Sequence, residues 1–216
     1  MIVVKVGGAA LEANRMFDFF GGSFCVVHGA GPQISLEMER AGISVEFVDG
    51  RRVTSPAAIE IVKREFQRVN TLICDAIGER AVAMMGDEIG LKAEHVPELG
   101  LVGNAVPSRP QVVVDALAAG KIPVIAPLAE GPLNVNADDA AAALALGLGA
   151  EQLLFLTDVD GLILGGEVVN EIAVDDASRL LAGGTLQGGI IPKLNAAVTA
   201  ARGGVAASIG QTAVVA

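Results

Sequence analysis

Two lysines, a cluster of asparagines and aspartates, an arginine pair and three glycine-bearing turns are the residues of this sequence best suited to chemistry. Lys5 stands inside the apolar stretch Ile2–Val6, and Lys193 follows Pro192 near the start of a helical pattern. A cation among apolar residues is costly unless it meets an anion, and a cation in the first turn of a helix opposes the dipole there. A bound polyphosphate would relieve both conflicts, though an edge-exposed Lys5 and a solvated Lys193 would do so too. The turns are Lys5-Val6-Gly7-Gly8, His28-Gly29-Ala30-Gly31 and Gly188-Gly189. Glycine lets the backbone approach an anion closely, and a helix that follows aims its free N–H groups at the same point. One such turn alone reads as a tight turn. Three together, two with a lysine nearby, point to phosphate or carboxylate.

In Leu133-Asn134-Val135-Asn136-Ala137-Asp138-Asp139-Ala140 a strand-like alternation runs into an Ala-rich helix. Asn134 and Asn136 then point the same way, and either Asn136 or Asp138 can cap the helix. Arg51-Arg52 follow Gly50 after a short strand; paired arginines suit a solvated turn, and at a ligand edge they suit a carboxylate. No G-x-x-x-x-G-K-[ST] occurs, and Gly29-Ala30-Gly31 lacks the later glycine of a dinucleotide fingerprint, which disfavours Walker-type and NAD sites.

The elements that must hold these residues alternate in type. Ile2–Val6, Phe24–His28, Val45–Val48, Val82–Met85, Ile122–Pro127 and Gln152–Thr157 read as strands. Helical patterns run over 32–41, 56–80, 110–119, 138–148, 175–182 and 190–202, with one more fitted between Leu11 and Phe20. Pro32, Pro56 and Pro110 suit first helical turns, while Gly42, Gly120 and Gly149 suit left-handed caps. Gly165-Gly166 separates Leu162–Leu164 from Glu167–Val169 as in a two-residue hairpin, and Val205 to Ala216 offers two short strands. The expectation is an α/β fold, an open and mainly parallel sheet sandwiched by helices. It spans 1–216 as one domain with lobes of about 1–120 and 121–216. Ligands of such sheets bind at the carboxyl ends of the strands.

Composition narrows the partners. Hydrophobic residues make up 52% and aromatics 3%, so Val, Ile, Leu and Ala must fill the core of this 216-residue chain. A net charge of −10 disfavours nucleic acid and anionic membranes. No apolar run reaches the ~18 residues of a membrane span, and the start of the chain lacks the features of a signal peptide; a cytoplasmic protein is expected. Cys25 and Cys74 have neither disulfide-framework nor metal-ligand spacing and read as buried, reduced thiols.

Taken in order, VVKVGG, VVHGAGPQI, FVDGRRVT, ELGLVGNAVP, IPVIAPL, LNVNADDAAAALALGLGAEQLLFLTDVDGL and GGIIPKLNAAVTAARGGV span residues 3–205. The set resembles the amino-acid kinase family, which shares the carbamate kinase-like fold, and within it the acetylglutamate kinases. That resemblance implies transfer of a phosphoryl group from ATP, accompanied by Mg2+, to the side-chain carboxylate of N-acetyl-L-glutamate in arginine biosynthesis. The amino-terminal lobe would hold the acyl amino acid and the carboxyl-terminal lobe ATP. Lys5 and Lys193 match the lysines that neutralise the transferring phosphoryl group, and Asp138 the acid that holds both. Gly7, Gly8 and the turn through Gly29, Ala30 and Gly31 match donors to phosphoryl and substrate oxygens. Arg52 and Asn134 match the grip on the α-carboxylate, and Thr157, Asp158 and Gly161 part of the nucleotide pocket. With no extra helix before Met1, a homodimer is implied rather than a hexamer.

Ala30 departs from the family's HGGG turn: if that backbone needs a positive φ, alanine costs on the order of 1 kcal/mol, and if φ is negative it costs nothing. Two other readings stay open. One is a kinase of a carrier-linked aminoadipate or glutamate, for which a basic rim would be needed. The other is a binding protein that kept the fold and lost the chemistry.

Overall fold

Strands buried on both faces of a parallel sheet read as unbroken apolar runs, and such runs lie at the centre of this molecule. The computed structural model describes residues 1–7, 22–157 and 159–216. Its strands are β1 (Ile2–Val6), β2 (Phe24–His28), β3 (Phe47–Val48), β4 (Arg51–Arg52), β5 (Ala81–Met85), β6 (Ala93–His95), β7 (Val102–Ala105), β8 (Ile122–Ala126), β9 (Leu128–Ala129), β10 (Leu133–Val135), β11 (Gln152–Leu156), β12 (Ile163–Leu164), β13 (Glu167–Val168), β14 (Glu171–Ala173), β15 (Ala206–Ile209) and β16 (Thr212–Val215). The α-helices are α1 (Gly31–Arg40), α2 (Pro56–Ile77), α3 (Gly86–Ile89), α4 (Gln111–Ala118), α5 (Ala137–Leu148), α6 (Val174–Ala182) and α7 (Ile190–Arg202).

The central sheet runs β14-β16-β15-β11-β1-β2-β8-β5. It is parallel from β15 to β5, and β16 turns back antiparallel to β15. Val3, Val27, Leu153 and Phe155 pack with Ala140, Leu144, Leu194 and Ala197 of α5 and α7. Val4, Val6, Phe24 and Val26 pack on the other face with residues of α1 and α2, among them Ile34, Met38, Val62 and Phe66. Side chains alternate along a strand, so Lys5 shares the face of Val3 and looks toward α5. Its neighbours in register are Val27 on β2 and Phe155 on β11.

Local chemistry explains the element ends. Ser55 accepts a hydrogen bond from Ala58 N (3.1 Å) and caps α2, with Pro56 next in line. That helix stops at Ile77 rather than Arg80, because Gly78 takes a φ of 85°. The strand expected over Val45–Val48 shortens to Phe47–Val48 and folds back on Arg51–Arg52. Asp49 and Gly50 between them have φ of 49° and 75°, positive at both positions as a type I′ turn demands. Gly165 and Gly166, at φ of 60° and 89°, close the expected hairpin β12–β13.

A second, four-stranded sheet in the order β6-β7-β10-β9 was not foreseen. Cys25 is buried as expected, whereas Cys74 is only partly buried, its Sγ 3.5 Å from Asn70 Oδ1. The segment over Leu11–Phe20 lies outside the described residues. Among the described residues no helix is long and apolar enough to cross a membrane.

Candidate active site

The carboxyl ends of β1 and β2 and the starts of α1, α5 and α7 converge on one cavity of about 440 Å³. A second cavity of about 500 Å³ lies beside it under the loops around Gly161 and Gly189. Thr157 and Lys193 line both, so the two spaces meet at these residues.

Asp138 is the hub between the lysines. Lys5 Nζ lies 2.7 Å from its Oδ1, with side chains 7% and 6% exposed. The approach is ionic and does not meet hydrogen-bond geometry. Lys193 Nζ stands 3.9 Å from Oδ2 and donates to Gly189 O at 3.2 Å. The anion that a lysine in β1 requires is therefore Asp138, in the first turn of α5. Asn136 settles the capping question: its Oδ1 accepts from Asp138 N (2.8 Å) and Asp139 N (3.4 Å). With Asn136 as the cap, the carboxylate of Asp138 remains for the lysines.

Neither α1 nor α7 has a side chain capping its first turn. Gly31 and Ala30 border the first cavity, and Gly189 and Ile190 the second. Each cavity thus receives the positive end of a helix, 10 residues long in α1 and 13 in α7. A site built of two lysines and two open helix ends is suited to polyanions. Ala30 adopts φ −139°, so alanine sits in this turn without strain.

Arg52 is 6% exposed, and the same burial lowers its pKa. Its Nη2 donates to Gly31 O (2.9 Å) and Ser35 Oγ (2.8 Å), and its plane lies 4.6 Å from the centre of the Phe47 ring. A carboxylate in the cavity therefore meets a guanidinium already anchored to α1, and a two-bond grip requires one of those contacts to give way. Asn134, 8% exposed, donates from Nδ2 to Thr54 Oγ1 at 3.0 Å.

Arg51 donates to Asn104 Oδ1 at 2.5 Å. It also bears on Asp139, whose pKa is pushed from 3.8 to about 6 by burial first and the Asp138 charge second, with Arg51 opposing. The folded-state value lies above the unfolded one, so this carboxylate costs nothing in acid and the cost grows as pH rises through that interval. Asp139→Asn is expected to stabilise the fold by ~2 kcal/mol at pH 8 and by well under about 1 kcal/mol at pH 4, just above the unfolded value. Urea melts at the two pH values check this, and equal effects at both would exclude a strained carboxylate.

His28 is fully buried against the edge of Phe66 (centroids 6.1 Å apart), and its ring nitrogens have no hydrogen-bond partner among the described residues. Burial lowers its pKa to about 4; the nearby Gly29 backbone opposes this and the Lys5 charge adds to it. The ring is therefore neutral at physiological pH. Cys25, pushed up to about 12 by burial, is an inert core thiol.

Of the residues singled out from sequence, Lys5, Gly7, Gly29, Ala30, Gly31, Arg52, Asn134, Asp138, Thr157 and Lys193 border the first cavity, and Gly161 the second. Gly8 and Asp158 lie outside the described residues. Sequence reasoning passed over Thr54, Phe47 and Ser35. Only Asp49-Gly50, the turn that brings Phe47 over the pocket, carried a readable signal.

The whole fold matches smu.665 from Streptococcus mutans UA159 (TM-score 0.86, 25% identity, 99% of this chain and 98% of that one). It also matches carbamate kinase from Giardia lamblia bound to AMP-PNP (TM-score 0.68, 17% identity, 99% and 97%), a likeness of fold alone. A model of the amino acid kinase family matches residues 1–210, and the chain belongs to that family. Within it, the acetylglutamate kinase of Rubrobacter xylanophilus is 41% identical over 96% of this chain and 87% of its own length. The acetylglutamate kinase of a Nocardioides species is 40% identical, over 95% and 75%.

Proposed function

We propose that the chain transfers the γ-phosphoryl group of ATP to the side-chain carboxylate of N-acetyl-L-glutamate, the reaction of arginine biosynthesis that yields N-acetyl-L-glutamyl 5-phosphate. The observation that carries this reading is the Lys5–Asp138–Lys193 cluster where two anion-receiving cavities meet. ATP would occupy the second cavity, by Thr157 and Gly161, and the acyl amino acid the first; Asp158 is proposed as a nucleotide contact on the family resemblance alone.

The nucleophile is a carboxylate, ionised at neutral pH, so no general base is needed. A bond forms between a carboxylate oxygen and the γ-phosphorus as the bond to the β–γ bridging oxygen breaks, and ADP leaves with that electron pair. What the protein supplies is alignment of two anions and neutralisation of the charge between them. Lys5 and Lys193 would neutralise, and Asp138 would keep both in place. Gly7, Gly8, Gly29, Ala30 and Gly31 would offer backbone N–H groups. Arg52 and Asn134 would hold the α-carboxylate. Magnesium would travel with ATP, held by phosphate oxygens and water. The same reading carries a cytoplasmic homodimer in which the lobe 1–120 mainly holds the acyl amino acid, with Asn134 reaching in from the lobe 121–216 that holds ATP. The unstrained φ of Ala30 removes one argument for a protein that has lost its chemistry.

ADP release measured with N-acetyl-L-glutamate, glutamate, aspartate and carbamate tests the assignment. An unblocked α-ammonium would be left in the pocket without a partner, so free glutamate should be a poor substrate. Arg52→Lys should raise KM for N-acetyl-L-glutamate by ~10-fold or more and leave KM for ATP nearly unchanged, because an ammonium cannot reproduce a planar fork. Equal turnover of free and acetylated glutamate, or a parallel rise in both constants, would sink the substrate assignment.

A further inference from the structure

Thr54 is fully buried beside the first cavity yet touches none of its space. Its hydroxyl lies 2.8 Å from Arg52 O and 3.0 Å from Asn134 Nδ2. A threonine hydroxyl owns one proton, and a backbone carbonyl can only accept. Both contacts are hydrogen bonds only when the proton goes to Arg52 O and the oxygen accepts from Asn134. The amide must turn its NH2 group toward Thr54.

We infer that Thr54 is a positioning residue that fixes which way the Asn134 amide faces the acyl amino acid, an inference that rests on the substrate reading above. Locked in this orientation, Asn134 keeps Oδ1 and one N–H for the ligand. An N-acyl amino acid bears, on one carbon, an amide N–H that donates and a carboxylate that accepts. The locked amide complements both. Flipped, it would turn its oxygen toward the Thr54 oxygen and offer the ligand two donors and no acceptor, leaving the acyl N–H unsatisfied.

The backbone around Thr54 holds the hydroxyl in place. Thr54 N donates to Leu99 O (2.9 Å), Leu101 N donates to Thr54 O (2.7 Å), and Asn134 N donates to Leu101 O (2.9 Å). Gly100 makes this approach possible: it has φ +80°, and a Cβ there would stand 2.4 Å from Thr54 O. The hydroxyl and the amide are thus tied to one stretch of backbone as well as to each other.

The test compares Thr54→Val, which keeps the shape and removes the hydroxyl, with Thr54→Ser, which keeps the hydroxyl. Thr54→Val should raise KM for N-acetyl-L-glutamate by ~10-fold or more, with a smaller change in kcat and none in KM for ATP; Thr54→Ser should stay near wild type. In an Asn134→Ala background Thr54→Val should add no more than about twofold, since the residue it orients is gone. An equal factor in both backgrounds, or a serine variant as impaired as the valine one, overturns the inference. A second readout needs no substrate. The side-chain NH2 signals of Asn134, identified by their loss in Asn134→Ala, should show slowed hydrogen exchange in wild type and Thr54→Ser and lose it in Thr54→Val; unchanged protection in Thr54→Val overturns the inference too. If the wild type does not turn over N-acetyl-L-glutamate, the substrate reading fails while the exchange measurement still decides the positioning. Should Thr54→Val not fold, Thr54→Ala enters the same comparisons.

Discussion

Lys5→Ala and Lys193→Ala should each lower kcat by ~10²-fold or more, and only the first should also weaken the fold, by about 3–5 kcal/mol. In the proposed reaction both lysines face the place where charge develops in transfer, and removing a preorganised charge there would cost the transition state and not the ground state. Their structural burdens differ. Lys5 is the 2.7 Å partner of a carboxylate whose side chain is 6% exposed, so its loss leaves that buried charge with only the more distant Lys193, 3.9 Å away. Lys193 stands 3.9 Å away with a side chain 15% exposed, and Asp138 keeps Lys5 when it is gone. Its removal should cost about 1 kcal/mol or less. Single-turnover rates at saturating ATP and urea melts of the two variants separate these effects. A Lys193→Ala protein with near-normal kcat would take that lysine out of the mechanism, and equal stability losses would contradict the burial argument.

The contrast between the two lysines shows how far the sequence could be read. Lys5 in an apolar strand announced the need for an anion, and the Asn-Ala-Asp-Asp run held candidates for it, but whether Asn136 or Asp138 capped α5 was open. Geometry decided: Asn136 takes the two N–H groups, and Asp138 is left to the lysines. The strands β1, β2 and β8 were legible because burial on both faces leaves one kind of residue to choose from. The sheet of β6, β7, β9 and β10 was not. Leu133–Val135 showed a strand-like alternation, but its partners Ala93–His95, Val102–Ala105 and Leu128–Ala129 are two to four residues long, too short for a period to show. Arg52 borders the first cavity, but its ties to Gly31 and Ser35, 21 and 17 residues earlier in the chain, depend on the approach of α1 and could not be read from the sequence. Thr54 gave no signal at all, since a hydroxyl between a strand and a helix cap is ordinary in sequence and acquires meaning only when Asn134, 80 residues on, is brought against it.

Asp138→Asn should reduce the single-turnover rate by ~10²-fold while leaving the shape of its pH profile unchanged if, as proposed, the residue holds charge and takes no proton. The substrate's own carboxylate is the nucleophile and has no proton to surrender. Asp138 also faces lysines on both oxygens, an arrangement for aligning cations. The neighbouring Asp139 complicates the measurement: it titrates near 6 partly through the charge of Asp138, so removing that charge would shift its titration as well. Comparing Asp139→Asn with Asp138→Asn/Asp139→Asn over pH 5–8 removes the interference. Parallel profiles at different heights are expected. If the acid limb disappears with Asp138, the carboxylate was accepting a proton and the charge-holding role is wrong. Stability supplies an independent check, since Asp138→Asn strands the buried Lys5 ammonium at a cost of about 3–5 kcal/mol. Adding Lys5→Met, which restores an apolar match to Val27 and Phe155 across the sheet, should recover most of that stability and none of the activity. Recovery of both would mean that the pair serves the fold alone, whereas recovery of stability without turnover assigns the buried charges to catalysis, a role that an apolar replacement cannot fill.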